Sequence, residues 1–250
     1  MIINDLTPKD VLVPPGFSTG GIDRDFALYP QGYLVCAKPF NIPLMTDAEI
    51  EANIAKEAAE GGSLLGKIAH DTPILDQDGY GYCWAHSSAM AVNCVRLMNN
   101  QPYVALSAFA VAAIIKNYRD QGGWGGQSLE WIEENGIPSQ TYWPQGEVKR
   151  SLDTPEMRAD AALRKTTEWM DLDPRDMKRQ LATAVLSGIP VASDYNWWGH
   201  SVCCVRILSW NPFRTWIKNS WKGWGDNGIG ELQGSRAVPD GAICPRVQMA

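Results

Sequence analysis

Polar and apolar positions divide the chain into three stretches of different rhythm. Residues 1–45 have no period: Phe17, Phe26, Tyr29, Tyr33, Leu34 and Phe40 are scattered among Pro8, Pro14, Pro15, Pro30, Pro39 and Pro43. Proline at that density blocks long helices and central strands, because it fixes φ and removes a backbone donor. The segment reads as an extended arm with aromatic anchors. Residues 46–60 read as a helix, with Thr46 and Glu49 as a T-x-x-E capping box, Ile50 and Ile54 one turn apart on one face, and Gly61-Gly62 as the stop. Gly61–Leu65 reads as the boundary before the main domain.

The rhythm then becomes helical. From Cys83 to Met98 the run is almost wholly apolar on one side, and Ser107 opens a second helix that runs to Tyr118. Gln121–Gly126 (QGGWGG) reads as a loop from its glycines. Leu129–Glu134 is helical and ends at Asn135-Gly136-Ile137-Pro138, and Asp173–Leu186 is a further helix with Pro174 near its start. After it the runs Ile189–Ala192, Ser201–Leu208, Thr215–Lys218 and Gly228–Leu232 are short, β-prone and separated by turn residues. Helices first and strands second predict an α+β fold of two lobes. The helical lobe spans 63–157 and the β-rich lobe 158–250, behind a Pro-rich extension over 1–62.

Composition narrows the function. With 250 residues, 45% hydrophobic and 20% charged, the chain has material for a sizeable core and is not disordered as a whole. A net charge of −6 without a basic run argues against nucleic acid or an anionic membrane as partner. No stretch approaches the ~18 apolar residues of a membrane span, and Met1–Asp10 shows no apolar core of a secretory signal. Cysteines at 36, 83, 94, 203, 204 and 244 form no CxxC pair and no disulfide framework. Free thiols in a reducing compartment are the simpler expectation, placing the protein in the cytoplasm or in a virus particle. Most of the eleven tryptophans follow residue 120, marking aromatic packing or a cleft there.

Cys83 stands where the glycine-containing string Asp78–Tyr82 turns into a helix. The positive end of the helix dipole favours a thiolate there, which lowers the thiol pKa. A cysteine nucleophile needs a base, and the base an orienting group. Of three histidines, His200 stands in Trp197-Trp198-Gly199-His200-Ser201 at the mouth of an apolar strand, with Asn219-Ser220-Trp221 and Gly223–Gly228 downstream. Cys, His and Asn in that order supply all three roles.

With these strings the chain resembles the papain-like cysteine peptidase family, whose signature is C-G-[SA]-C-[WY] with His and Asn far downstream. The resemblance spans roughly residues 70–232 through four motifs in order. It implies a papain-like fold, a helical lobe and a β-barrel-like lobe with the cleft between them. It also implies that Cys83 is the nucleophile, His200 the general base and acid, Asn219 its orienter and Gln77 the oxyanion-hole donor. Trp221 then shields the His–Asn hydrogen bond, and Trp224 packs beside it. Gly122-Gly123-Trp124-Gly125-Gly126 is similar to the family's G-C-x-G-G, which makes Gly125 and Gly126 the backbone that pairs with an extended substrate. Gly81, Tyr82, Trp84, Ser201 and Trp221 complete the expected substrate contacts, and Leu106-Ser107 fits the family's L-S pair. The implied activity is hydrolysis of a peptide or protein substrate with no cofactor and no metal.

The departures also bear on function. Tyr80 and Gly123 stand where the family's disulfide cysteines would be, and His86 replaces an aromatic residue after the nucleophile. His86 reads as a core histidine or as a second titrating group. Cys94, Cys203 and Cys204 read as core thiols. The span from Pro190 to His200 is short where relatives carry a longer insertion that walls the specificity pocket, so substrate preference does not carry over. Residues 1–62 lack the charged helical pattern of the family's inhibitory prosegments. The extension is left as a loose tail, a self-inhibitory prosegment, or an arm docked on its own domain or on a protein partner of residues 1–45. A competing reading makes the chain a structural or docking component of a larger assembly such as a virion, and another has an amine rather than water resolve the thioester.

Overall fold

The computed structural model describes residues 1–24, 27 and 37–246. Along these the chain runs β1 (Ile2–Ile3), α1 (Lys9–Leu12), β2 (Ala37–Pro39), α2 (Asp47–Ala59), α3 (Leu64–Asp71), α4 (Cys83–Met98), α5 (Ala108–Ile115), α6 (Gly125–Asn135), α7 (Pro155–Ala162), β3 (Glu168–Asp171), α8 (Met177–Leu186), β4 (Val191–Tyr195), β5 (His200–Ser209), β6 (Arg214–Lys218), β7 (Ile229–Gln233) and β8 (Gly241–Arg246). Phe26, Tyr29, Pro30, Tyr33, Leu34 and Cys36 lie outside the described residues.

The strands form one eight-stranded mixed sheet ordered β1-β7-β6-β5-β4-β8-β3-β2. The centre, β4 to β7, is antiparallel, and the short β-prone runs of the sequence form it, with two register irregularities in β5 opposite β6. The edge strands come from the N-terminal segment: β1 runs parallel to β7, and β2 parallel to β3. Residues 1–62 are therefore not set apart from the domain as an extension, because their strands complete both edges of its sheet and α2 packs on α8 and β5.

α4 is the central helix, buried from Cys83 to Arg96 on every side. It packs on α3, α5 and α6 on one side and on β4, β5 and β8 on the other. Small residues (Ala85, Ser87, Ser88, Ala89, Ala91) let sheet and helices approach it together.

Cap chemistry sets four of the helix starts. Thr46 and Glu49 form the full capping box of α2, and Ser63, Ser107 and Thr154 accept backbone N–H groups at α3, α5 and α7. Asp173 caps a short 3-10 turn at Pro174–Asp176, and the regular helix follows at Met177. α6 begins at Gly125, inside the stretch expected as loop. A β-carbon on Gly125 would lie 2.7 Å from Ile243 Cδ1, so that glycine serves the close approach of α6 to β8 rather than a turn.

Candidate active site

Cys83 opens α4 and is completely buried. His200 opens β5 and Asn219 follows the end of β6, so the sheet register brings imidazole and amide together from neighbouring strands. His200 Nε2 donates to Asn219 Oδ1 at 2.8 Å, and the Ser220 N–H donates to the same oxygen at 2.7 Å. With Nε2 engaged, Nδ1 is the ring nitrogen without a partner. The Ser201 backbone N–H lies near enough to the Cys83 thiol to favour its thiolate, so the peptide after His200 adjoins the sulfur.

Three indoles surround the imidazole. Trp221 stacks on His200 at 4.3 Å between centroids and Trp198 meets it edge-on at 4.8 Å, while Trp224 packs edge-on against Trp221. These rings exclude water from the His200–Asn219 bond, which strengthens it electrostatically. Trp198 enters where the sequence is short before His200, and Trp197 stacks on it at 5.3 Å.

Gln77 is fully buried and its side chain is held at both ends. Oε1 accepts from Ser220 Oγ at 2.6 Å, which fixes the amide orientation. Nε2 donates to the carbonyl oxygens of Tyr80 at 2.6 Å and of Ser18 at 2.9 Å. Ser18 belongs to the N-terminal arm, and Trp221 Nε1 also donates to its oxygen, at 3.1 Å. The arm then passes over the nucleophile. Phe17 stacks on Trp221, the Gly20 N–H lies near enough to the Cys83 thiol to favour its thiolate, and the Gly21 N–H donates to the Gly199 carbonyl at 2.9 Å. Gly21 and Gly123 form a parallel bridge, with the Gly123 N–H donating to Gly20 and the Ile22 N–H to Gly123.

This cover reverses the expected electrostatics. Burial pushes the Cys83 thiol up to about 12, outweighing the N–H groups of Ser201, Gly20 and Trp84 that favour the thiolate. Burial also takes His200 down to about 4 against its bond to Asn219. The pair is therefore neutral thiol and neutral imidazole in the covered state. A helix dipole worth ~0.3–1 kcal/mol does not offset that desolvation.

Gln77, Cys83, His200, Asn219 and Trp221 thus meet at one site, while the expected substrate contacts divide. Gly81 lies directly under the arm, its carbonyl facing Gly20. Ser201 sits at the thiol and its hydroxyl pairs with Ser87 Oγ at 2.7 Å. Tyr82 is buried in the helical lobe between Tyr80 and Phe109, its hydroxyl on the Arg119 carbonyl, and does not face the arm. The Trp84 ring lies behind Gly123, where a β-carbon would come within 2.7 Å of it. Gly125 and Gly126 lie in the first turn of α6, and the backbone that pairs with an extended chain is that of Gly123. His86 is buried edge-on to Phe109, with Nδ1 donating to the Tyr82 carbonyl. Cys94, Cys203 and Cys204 are buried free thiols. Sequence reasoning missed Ser220, Trp198 and Gly123 as site residues. Ser220 stands inside the quoted Asn-Ser-Trp string, and Gly123 beside the glycines chosen instead.

Comparison with known proteins agrees with this geometry. Residues 67–202, more than half of the chain, match the family model described as papain family cysteine protease. Zingipain-1 of Zingiber officinale is 24% identical over 188 residues, covering 68% of this chain and 85% of that protein. Digestive cysteine proteinase 3 of Homarus americanus is 24% identical over 209 residues, covering 71% and 64%. Among solved structures, xylellain, a cysteine protease from Xylella fastidiosa, superposes with a TM-score of 0.63 at 17% identity over 93% of this chain and 96% of its own. Digestive procathepsin L 3 of Tenebrio molitor larval midgut gives 0.62 at 19% identity over 92% and 84%. With its fold, its helix-borne cysteine and the family match over that stretch, the chain belongs to the papain family of cysteine proteases.

Proposed function

We propose that the chain hydrolyses peptide bonds through a thioester on Cys83, from a resting state in which residues 17–22 cover the site. When the arm leaves, water and substrate restore ordinary proton affinities, and His200 Nδ1 takes the Cys83 proton. The thiolate attacks the substrate carbonyl carbon, and the oxyanion is held by Gln77 Nε2 and the Cys83 backbone N–H. As the tetrahedral carbon collapses, its C–N bond breaks and His200 returns the proton to the leaving amine. A water then attacks the thioester while His200 takes its proton, and the acid leaves as the C–S bond breaks. Asn219 and Ser220 keep the imidazole and the Gln77 amide aimed throughout.

The observation that carries this reading is Gln77 Nε2 holding the carbonyl oxygen of Ser18, on a chain that passes over the Cys83 thiol with the His200–Asn219 pair beside it. The Gln77 amide is already serving a peptide carbonyl.

An epoxysuccinyl peptide tests it on the full chain, read by intact mass and site mapping, alongside hydrolysis of a peptide mixture. One adduct on Cys83, lost in His200→Ala, and hydrolysis lost in Cys83→Ala are expected. Hydrolysis that survives Cys83→Ala overturns the assignment.

A further inference from the structure

Arg24 of the arm is one of the best-buried cations of the described chain. Its side chain is 5% exposed, its guanidinium lies 4.6 Å from the centroid of the Trp124 ring, and its Nη1 donates to both carboxylate oxygens of Asp171 at 2.8 and 2.7 Å. Asp171, on β3, is 1% exposed. A second carboxylate, Asp194 on β4, faces the same group and feels the charges of both Arg24 and Asp171. Asp240, at the rim, accepts the Asn196 N–H at 2.8 Å. Arg24, Asp194, Asn196, Asp240 and Gly241 enclose a residual cavity of about 10 Å³.

Two buried carboxylates side by side are costly unless a cation is supplied with good geometry. The fold does not use Asp194 up. The Ser201 hydroxyl and the Gly125 N–H lie near enough to favour its charged form, yet Oδ1 is buried with no hydrogen-bond partner.

The pocket adjoins the nucleophile. Asp194 is the cross-strand partner of Ser201, whose N–H lies near the Cys83 thiol, and its negative charge is felt by that thiol. Trp124 directly follows Gly123, the residue that pairs with an extended chain. Three residues beyond the Gly21–Gly123 bridge, the chain lying on Gly123 places a side chain, that of Arg24, against Trp124, Asp171 and Asp194.

Building on the peptidase reading, we infer that Trp124, Asp171 and Asp194 form the specificity pocket of the cleft, and that it selects a basic side chain, arginine above lysine, in the peptide that is cleaved. Arg24 takes that place in the covered chain. Arginine is favoured because the guanidinium donates to the Asp171 carboxylate through Nη1 while the group lies over the Trp124 ring, and an arginine is more weakly hydrated and better suited to an aromatic face than an ammonium.

Two measurements separate this inference from the reading beneath it. The first is binding: full-length Arg24→Ala is heated with n-propylguanidinium, n-butylammonium or n-butanol. Propylguanidinium is expected to raise the melting temperature of Arg24→Ala by several degrees, with a smaller effect from butylammonium, none from butanol, and none of this on the parent chain. Equal shifts in parent and variant, or none in either, overturn the pocket. The second is cleavage of peptides that differ only by Arg, Lys, Leu or Glu at one position, by the parent and by Asp194→Asn. An Arg-over-Leu preference in kcat/KM that falls at least tenfold in Asp194→Asn is expected. Cleavage without that preference overturns the inference and keeps the peptidase. Cleavage of no peptide overturns the peptidase reading, and the binding measurement still decides the pocket.

Discussion

Gly20 crosses Gly81 so closely that a β-carbon on Gly20 would lie 2.1 Å from the Gly81 carbonyl oxygen. A backbone oxygen cannot swing aside as a side chain can, so any larger residue at position 20 lifts the arm. Gly20→Val is expected to raise the rate of Cys83 alkylation by ~10-fold or more, because the thiol regains solvent and thiolate character. Timed iodoacetamide labelling of parent and variant at one pH measures this. Equal rates would mean that the arm does not limit access.

The Gln77 amide should contribute through its orientation. Gln77→Ala removes an oxyanion donor and is expected to lower kcat by ~10²–10³. Ser220→Ala keeps the donor but frees Oε1, so the amide can turn over, and a smaller loss of roughly tenfold in kcat with little change in KM is expected. Steady-state kinetics on one peptide separates the two. A Ser220→Ala loss confined to KM would contradict the orienting role.

His86 and His200 are both buried as neutral imidazoles, each taken down to about 4 by burial. A lowered histidine contributes full stability above its unfolded value and loses it as pH falls through that value toward the folded one. Asp194, raised to about 6, and His70, raised by Asp71 and Asp226, oppose this on acidification. His86→Leu isolates one histidine from the rest. Between pH 6.5 and 4 the parent chain is expected to lose about 3 kcal/mol more than His86→Leu. Urea midpoints across that window test it, and parallel curves would show that His86 is not held neutral.

Lys218 joins the strand carrying Asn219 to the segment leading to Gln77. Its Nζ donates to the Thr72 and Asn227 carbonyls at 2.7 and 2.6 Å, and its residue is 1% exposed. Lys218→Met removes both bonds, leaving the Thr72 carbonyl with only the Asn227 Nδ2 donor at 3.2 Å, and a loss of about 2 kcal/mol is expected in equilibrium unfolding. Lys218→Arg should not restore it, since a planar fork does not fit two carbonyls placed for one ammonium. A loss under ~0.5 kcal/mol would refute the staple.

The sequence showed the site more fully than its cover. Cys83, His200, Asn219 and Gln77 were legible because each stands in a short string whose chemistry demands its neighbours. The strands β4 to β7 were legible because each is a short β-prone run bounded by turn residues, and each is buried along most of its length. β1 and β2 were not, since runs of two or three residues carry no period, and their pairing is set by strands some 130 to 230 residues away in the chain. The thiol's pKa was misjudged for a related reason: a helix start is local, whereas burial by Gly20 is a tertiary fact. Gly125 was misassigned because a glycine required for packing against Ile243 looks, in one dimension, the same as a glycine required for a turn. Asp194 was invisible because its neighbours Asp171, Arg24 and Gly125 lie on three different segments, all distant from it in the chain.

The N-terminal segment is anchored twice, by residues 2–3 on one edge of the sheet and by residues 37–39 on the other. A cover tied at both ends is a competitor that dilution cannot remove. For tethered ligands the effective concentration is on the order of millimolar, and it is the same at any protein concentration. A free peptide must outbid that local concentration, so the apparent KM of the intact chain is set by the tether as much as by the cleft. Cutting either anchor, by a protease or by breaking one edge pairing, would relieve the competition without altering a single residue of the site.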